Sequence, residues 1–178
     1  MTPVQDGQDR QDGQDGQDRQ DRQDGQDGQD GQDRQDRQDG QGILDLQVDG
    51  VLGGDELNAL FRAAWPGHRD TDFGPVLARS MLRVTARRAG RLVGYVNVVG
   101  DGGVHAFLLD TTVHPDERRA GLGTALVRAA ADAARERGAH WLHVDYEPHL
   151  TAFHERCGFR PTAAGLMALN GDSADDTP

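Results

Sequence analysis

Residues 5–40 are twelve consecutive triplets that read Gln-Asp-Gly or Gln-Asp-Arg; Gly closes seven of them and Arg five. Not one apolar side chain occurs in that stretch. Ordering a chain costs about 1–2 kcal/mol per residue, and a segment with nothing to bury has no gain to set against that cost. The repeat therefore reads as a disordered low-complexity segment, residues 1–42, and whatever folds must follow it. The expected domain is residues 43–170, long enough for one core, with a polar tail at 171–178 that is expected to fray. A collagen-like role is excluded, because glycine is irregular in the repeat and proline is absent from it. A role as a Gln-rich interaction segment is the alternative, opposed by an Asp in every triplet.

The formal net charge is −11, but the repeat alone, with twelve Asp and five Arg, holds −7 of it. The rest of the chain is only mildly acidic, and every basic residue is Arg. No basic patch marks a nucleic-acid or anionic-membrane surface. The lone cysteine, Cys157, has no internal disulfide partner. The opening "MTPVQDGQDR" has no apolar core of a signal peptide, and no apolar run approaches a membrane span. A cytoplasmic protein is the expectation.

Along the domain, residues 43–48 alternate apolar and polar and predict a strand. Asp55 is the candidate N-cap of a helix carrying Leu57, Leu60, Phe61 and Ala64 at helical spacing, and Pro66 stops it. Residues 72–80 predict a short helix with Pro75 in its first turn. Residues 81–86 and 91–99 predict a hairpin through "RRAG", and residues 104–113 a strong strand. A helix then runs to about Arg137, with Gly138 as its terminator. Residues 141–146 predict a strand, 150–157 a short helix closed by Gly158, and 163–169 a last strand. Strand, glycine loop, helix and strand in succession imply a right-handed parallel crossover, while the hairpin makes the sheet mixed.

"ERRAGLGTAL", residues 117–126, is the stretch with chemical content. A helix start offers free N–H groups and a positive dipole end to an anion. Gly121 and Gly123 let ligand oxygens approach the backbone, and Arg118 and Arg119 add charge. The same residues also suit an ordinary loop-to-helix junction. The loop lacks the Lys-Ser/Thr of a P-loop and the three-glycine spacing of a dinucleotide fold.

Context resolves the choice. "TTVHPDERRAGLGTALVRAAADAARERGA" resembles the acetyl-CoA-binding motif of the GNAT acetyltransferase superfamily: a strand ending in Val-x-Pro (Val113, Pro115), then Arg118, Gly121 and Gly123. "FHERCGF" resembles the family's aromatic-Tyr-Glu-x-x-Gly-Phe segment. The resemblance covers the expected domain and implies an α/β GNAT fold, a central mixed β-sheet flanked by helices. It implies acetyl-CoA as cosubstrate and direct acetyl transfer to an amine, on a small molecule or a protein, by a monomer or homodimer. It also implies that the N–H groups of Arg119, Ala120, Gly121, Leu122, Gly123 and Thr124 hold the CoA pyrophosphate. The strand ending at Val113 then bonds the pantetheine arm, with the Val113 N–H on the thioester carbonyl.

Two positions depart from the family pattern. His154 stands where the family has a Tyr that acts as general acid. An imidazolium is a competent donor near neutral pH, and a role-free helix histidine is the alternative. Glu147 stands where Asn is frequent. Asp110, near the end of the central strand, is the first candidate for general base, ahead of Asp145 and Glu147. Loss of turnover, leaving a CoA sensor, is the rival function. The histidines imply no metal site, since His143 and Asp145 lack a third ligand. Cys157 is expected to be packed rather than nucleophilic, because a helix C-terminus raises a thiol pKa.

Overall fold

Alternation and helical periodicity together build a mixed sheet with helices on both faces. The computed structural model describes residues 42–167 and 169. The expectations for the repeat and for the tail lie outside the described residues. Five strands form one sheet in chain order: β1 (Leu44–Val48), β2 (Leu82–Arg88), β3 (Arg91–Gly100), β4 (His105–Val113) and β5 (Trp141–Val144). The first four run antiparallel to their neighbours, and β4 and β5 run parallel. The helices are α1 (Gly54–Ala64), α2 (Gly74–Arg79), α3 (Leu122–Glu136) and α4 (Thr151–Arg156). This is the expected GNAT arrangement.

Local chemistry fixes the boundaries. The cap of α1 is Gly53, not Asp55: Gly53 takes the extended cap conformation, and the Glu56 carboxylate accepts its N–H at 3.2 Å. Asp55 then sits in the first turn, where a negative charge meets the positive end of the helix. Asp72 accepts the Gly74 N–H ahead of α2, whose first turn holds Pro75. The β2–β3 turn is tighter than "RRAG": Ala89 and Gly90 both have positive φ, and pairing reaches Arg88↔Arg91. Positive φ at both central residues matches the twist of the flanking strands.

The two faces differ. One buries Val84, Ala86, Val96 and Val98 of the sheet against Leu122, Leu126, Val127 and Ala130 of α3. The other carries Leu92 and Tyr95 against Leu57, Leu60 and Phe61 of α1 and Phe73. The Phe61 ring stacks on Trp65 at 4.9 Å and meets Phe73 and Tyr95 edge-on.

One expected element is missing. Residues 163–167 form no strand, and Leu166 and Met167 are exposed. The stretch opens with Ala-Ala-Gly, poor strand formers, and its apolar residues do not alternate to give one buried face. Strand β5 is also two residues shorter than expected, ending at Val144.

Candidate functional site

Three departures from regular β structure meet at one end of the sheet. The first is where β4 and β5 part. Their pairing runs from His105↔Trp141 to Leu108↔Val144 and stops, while β4 continues to Val113. Residues 109–113 therefore have no partner strand on the β5 side among the described residues. The second is a bulge: Tyr95 pairs with Thr112 and Asn97 with Leu109, so Asp110 and Thr111 together oppose Val96. Asp110 reaches this geometry at φ +56°, left-handed backbone that costs an L-residue about 1–2 kcal/mol and that Asp tolerates better than most.

The third is the loop from β4 to α3. Pro115–Glu117 form a 3-10 turn, and the Asp116 N–H donates to His114 Nδ1 at 3.3 Å. Arg88 grips Glu117 with two bonds, Nε to Oε1 at 2.8 Å and Nη2 to Oε2 at 3.0 Å, in a partly buried pair. Arg119 at φ +64° and Gly121 at φ +83° then turn the backbone into α3. The Arg118 N–H donates to Pro115 and the Ala125 N–H to Gly121. Between them, none of the N–H groups of Arg119, Ala120, Gly121, Leu122, Gly123 and Thr124 finds an acceptor among the described residues. Six adjacent unpaired donors at a helix N-terminus have the chemistry that suits an anion.

The side chains here have more specific roles than their types suggest. Arg118 spans the loop, donating from Nη2 to the Ala64 carbonyl at 3.0 Å and from Nε to the Val113 carbonyl at 3.4 Å. It ties the end of α1 to the end of β4 and leaves its other donors for a ligand. Leu122 is buried, so only its N–H belongs to the cradle. Gly121 has open space around it, and its need is conformational. Gly123 is a close-packing position. A Cβ there would sit 3.3 Å and 3.4 Å from the Phe153 ring and 3.6 Å from Val113. The glycine thus lets the loop, the end of β4 and α4 touch.

His154 is not a surface residue. It is 4% exposed, its ring stacks on Tyr146 at 4.4 Å, and Phe153 and Phe159 meet it edge-on. Its Nδ1 is enclosed and has no partner among the described residues. Burial lowers its pKa, so at neutral pH it is an uncharged imidazole. That weighs against the imidazolium which a proton-donating role calls for.

Asp110 is half-buried, and burial pushes its carboxyl above the usual carboxylate range. It lies three residues before Val113 on the same strand. The other two carboxylates are exposed, and Glu147 is paired with His149 at 3.1 Å. Burial also pushes the Cys157 thiol up, which keeps it protonated and unreactive. The structure brings Val113, the glycine loop and Phe153 into contact. It puts Asp110 on the bulge beside Tyr95 and encloses His154 among aromatics by β5. Sequence reasoning missed Tyr146 and the polar pair Tyr95 and Asn97, and met Phe153 only as the aromatic of "FHERCGF". Asn97 alone had a signal, as an amide in the apolar run "YVNVV".

The acetyltransferase (GNAT) family model matches residues 54–159. A mycothiol acetyltransferase of Nocardia farcinica is 38% identical over 95 residues, covering 53% of this chain and 30% of that protein. Another, from Mycolicibacterium vanbaalenii, is 35% identical over 65 residues, 36% of this chain and 22% of that protein. The chain thus spans less than a third of the length of these curated relatives. Among solved structures, a GNAT family acetyltransferase from Streptococcus pneumoniae superposes with TM-score 0.61 at 21% identity, covering 73% of this chain and all of that one. An aminoglycoside N-acetyltransferase in complex with CoA gives TM-score 0.59 at 21% identity, covering 71% and 93%. The structures establish the fold, and the family model, which spans more than half of the chain, establishes the membership: the chain belongs to the GNAT acetyltransferase family.

Proposed function

We propose that the chain binds acetyl-CoA on the cradle of residues 119–124 and transfers its acetyl group to an amine. The observation that carries this is the run of six unpaired N–H groups beside a strand that continues past its partner. The donors fit a pyrophosphate, and residues 109–113 of β4 offer an unpaired edge that fits the amides of a pantetheine arm. Acetyl-CoA supplies an acetyl group activated as a thioester; net transfer makes a C–N bond, breaks the C–S bond and passes one proton from the amine to the thiol.

The chain's own residues do the rest. The Val113 N–H, at the end of β4, is the donor for an acyl oxygen. Asp110 accepts the proton that an ammonium group must lose before its nitrogen can attack. Burial raises its pKa, which makes it a stronger proton acceptor than an ordinary carboxylate. His154 holds the aromatic wall in place as an uncharged ring that can donate a hydrogen bond. Arg118 and Arg119 balance the charge of bound phosphates. The functional domain is residues 43–170, working in the cytoplasm as a monomer or dimer. Titration with acetyl-CoA in a calorimeter tests the binding step, and absence of heat at high micromolar ligand rejects it. Thiol release with a panel of amines tests the transfer.

A second reading has one observation in its favour. His154, at the position of the family's Tyr, is buried, and burial disfavours its charged form. A CoA-binding sensor with little turnover is then the outcome if acetyl-CoA binds and no amine releases thiol. His154→Tyr raising turnover shows that the replacement had cost activity.

A further inference from the structure

On the face of the sheet that α1 covers, polar atoms are buried and left unpaired. Arg83, Asn97 and Leu109 are cross-strand neighbours on β2, β3 and β4, and Thr85, Tyr95 and Thr112 form the next row. Tyr95 and Asn97 are 1% and 0% exposed. The Tyr95 hydroxyl, both amide atoms of the Asn97 side chain and Arg83 Nε are enclosed, and none has a hydrogen-bond partner among the described residues. Asp110 occupies the bulge between the two rows. Burial pushes the Tyr95 phenol up; the Asp110 charge adds to this and Arg83 opposes it, so the two charges flank the same phenol. Arg83 and Asp110 themselves keep partial exposure.

Buried polar groups in native proteins are almost always paired, and a group of four unpaired atoms on one patch asks for a ligand. The chemistry of the two sides differs. Arg83 Nε and the Asn97 amide nitrogen are donors, and Arg83 is a cation, so this side calls for an oxygen-rich anion. Asp110 calls for a cation. Two strand spacings separate β2 from β4, about 10 Å between backbones.

We propose that this cluster is the acceptor subsite and that the acceptor is a zwitterionic amine. Arg83 and Asn97 take its carboxylate, Asp110 faces its ammonium group, and the Tyr95 hydroxyl bridges the two. This rests on the acetyl-transfer reading above and adds a substrate class to it: small aminocarboxylates rather than polycations.

The test is calorimetric titration of the CoA-saturated protein with the common amino acids and short ω-aminocarboxylates. Each is measured beside its carboxamide and its decarboxylated amine. At least one acid should bind ten-fold or more tighter than both analogues, the loss expected when a charge-assisted bond is removed. Arg83→Met and Asn97→Leu should each abolish that preference, Arg83→Lys should keep part of it, and Asn97→Asp should reverse it toward the amines. Thermal melts of each variant with CoA present report folding separately. Equal binding of acids, amides and amines overturns the proposal. So does no binding by any compound while acetyl-CoA still binds, which would make the cluster a water-filled polar pocket. Failure of acetyl-CoA itself to bind overturns the underlying reading as well, and is read in its own titration.

Discussion

Gly121 and Gly123 sit two residues apart, and the structure gives them opposite sensitivities. Gly121 has φ +83° and nothing within 4 Å of where a Cβ would stand. Gly121→Ala therefore meets no clash and bears only the left-handed backbone cost, about 1–2 kcal/mol. For a domain of this size that lowers Tm by roughly 3–8 °C. If the neighbouring contacts hold the backbone in place, the N–H groups keep their directions and acetyl-CoA affinity changes little. Gly123 is inside α3, where Ala is preferred over Gly by about 1 kcal/mol. Its new Cβ, however, presses the Phe153 ring at 3.3 Å and 3.4 Å and nears Val113 at 3.6 Å. Either the ring or the start of α3 must move by a few tenths of an ångström. Gly123→Ala should be close to neutral in a thermal melt. Misdirecting one donor to a phosphate costs about 1.5–3 kcal/mol, so its dissociation constant for acetyl-CoA should rise about 10- to 100-fold. Melts and calorimetry on the two variants expose the crossover. A Gly123→Ala protein that binds acetyl-CoA as tightly as wild type would falsify the claim that contact with Phe153 and Val113 sets the cradle.

Asp110→Asn should lower acetyl transfer by at least ten-fold while raising Tm at neutral pH. The native-state carboxyl is pushed up by burial, so its stabilising contribution is full below the unfolded pKa near 4 and is lost as pH rises through the folded value. The gain from Asn should accordingly shrink in melts run at progressively lower pH, and a gain that grows on acidification would refute the assignment. Arg118→Ala removes the ties to Ala64 and Val113 and should cost about 1 kcal/mol in denaturant titration, with weaker acetyl-CoA binding at low salt. His154→Ala empties the space among Tyr146, Phe153 and Phe159 and should destabilise by about 2–4 kcal/mol, whether or not turnover changes. Removing residues 1–41 should leave the melt and acetyl-CoA binding of the domain unchanged, as measured on the shortened protein.

The glycine loop was legible because its signals are local. A strand that ends in Val113, a Pro at 115, two arginines, two glycines and an Ala-rich helix all lie within about thirty residues, and each constrains its own backbone. The same holds for the Ala89–Gly90 turn and for Gly138. What was not legible depends on residues far apart in sequence. That Gly123 also packs closely against another element depends on Phe153, thirty residues on. That Arg118 ties two elements together depends on Ala64, fifty-four residues back. The burial of His154 depends on Tyr146 and Phe159, whose ring contacts no periodicity announces. The expected strand at 163–169, absent over the described residues 163–167, failed for a local reason. Its apolar content drew the expectation, while its Ala-Ala-Gly start and lack of alternation weigh against a strand.

The polar cluster and the bulge are best understood together. A sheet built only for stability would continue β4 without a bulge, put an apolar residue at 97 and avoid left-handed backbone at Asp110. Here the departures sit side by side: positive φ at Asp110, unpaired amide atoms at Asn97, an unpaired phenol at Tyr95. Each one lowers stability, and strain of this kind persists where the surroundings over-determine it and function requires it. The apolar packing of α3 on the opposite face, from Leu122 through Ala134, is regular and complete enough to support that cost. The division has a consequence for how the chain should tolerate change. Substitutions among the residues that α3 buries against the sheet beyond its first turn, such as Leu126, Val127 and Ala130, should act on stability alone. Substitutions on the Arg83, Tyr95, Asn97 and Asp110 face should separate stability from acceptor choice, some of them improving the first while losing the second.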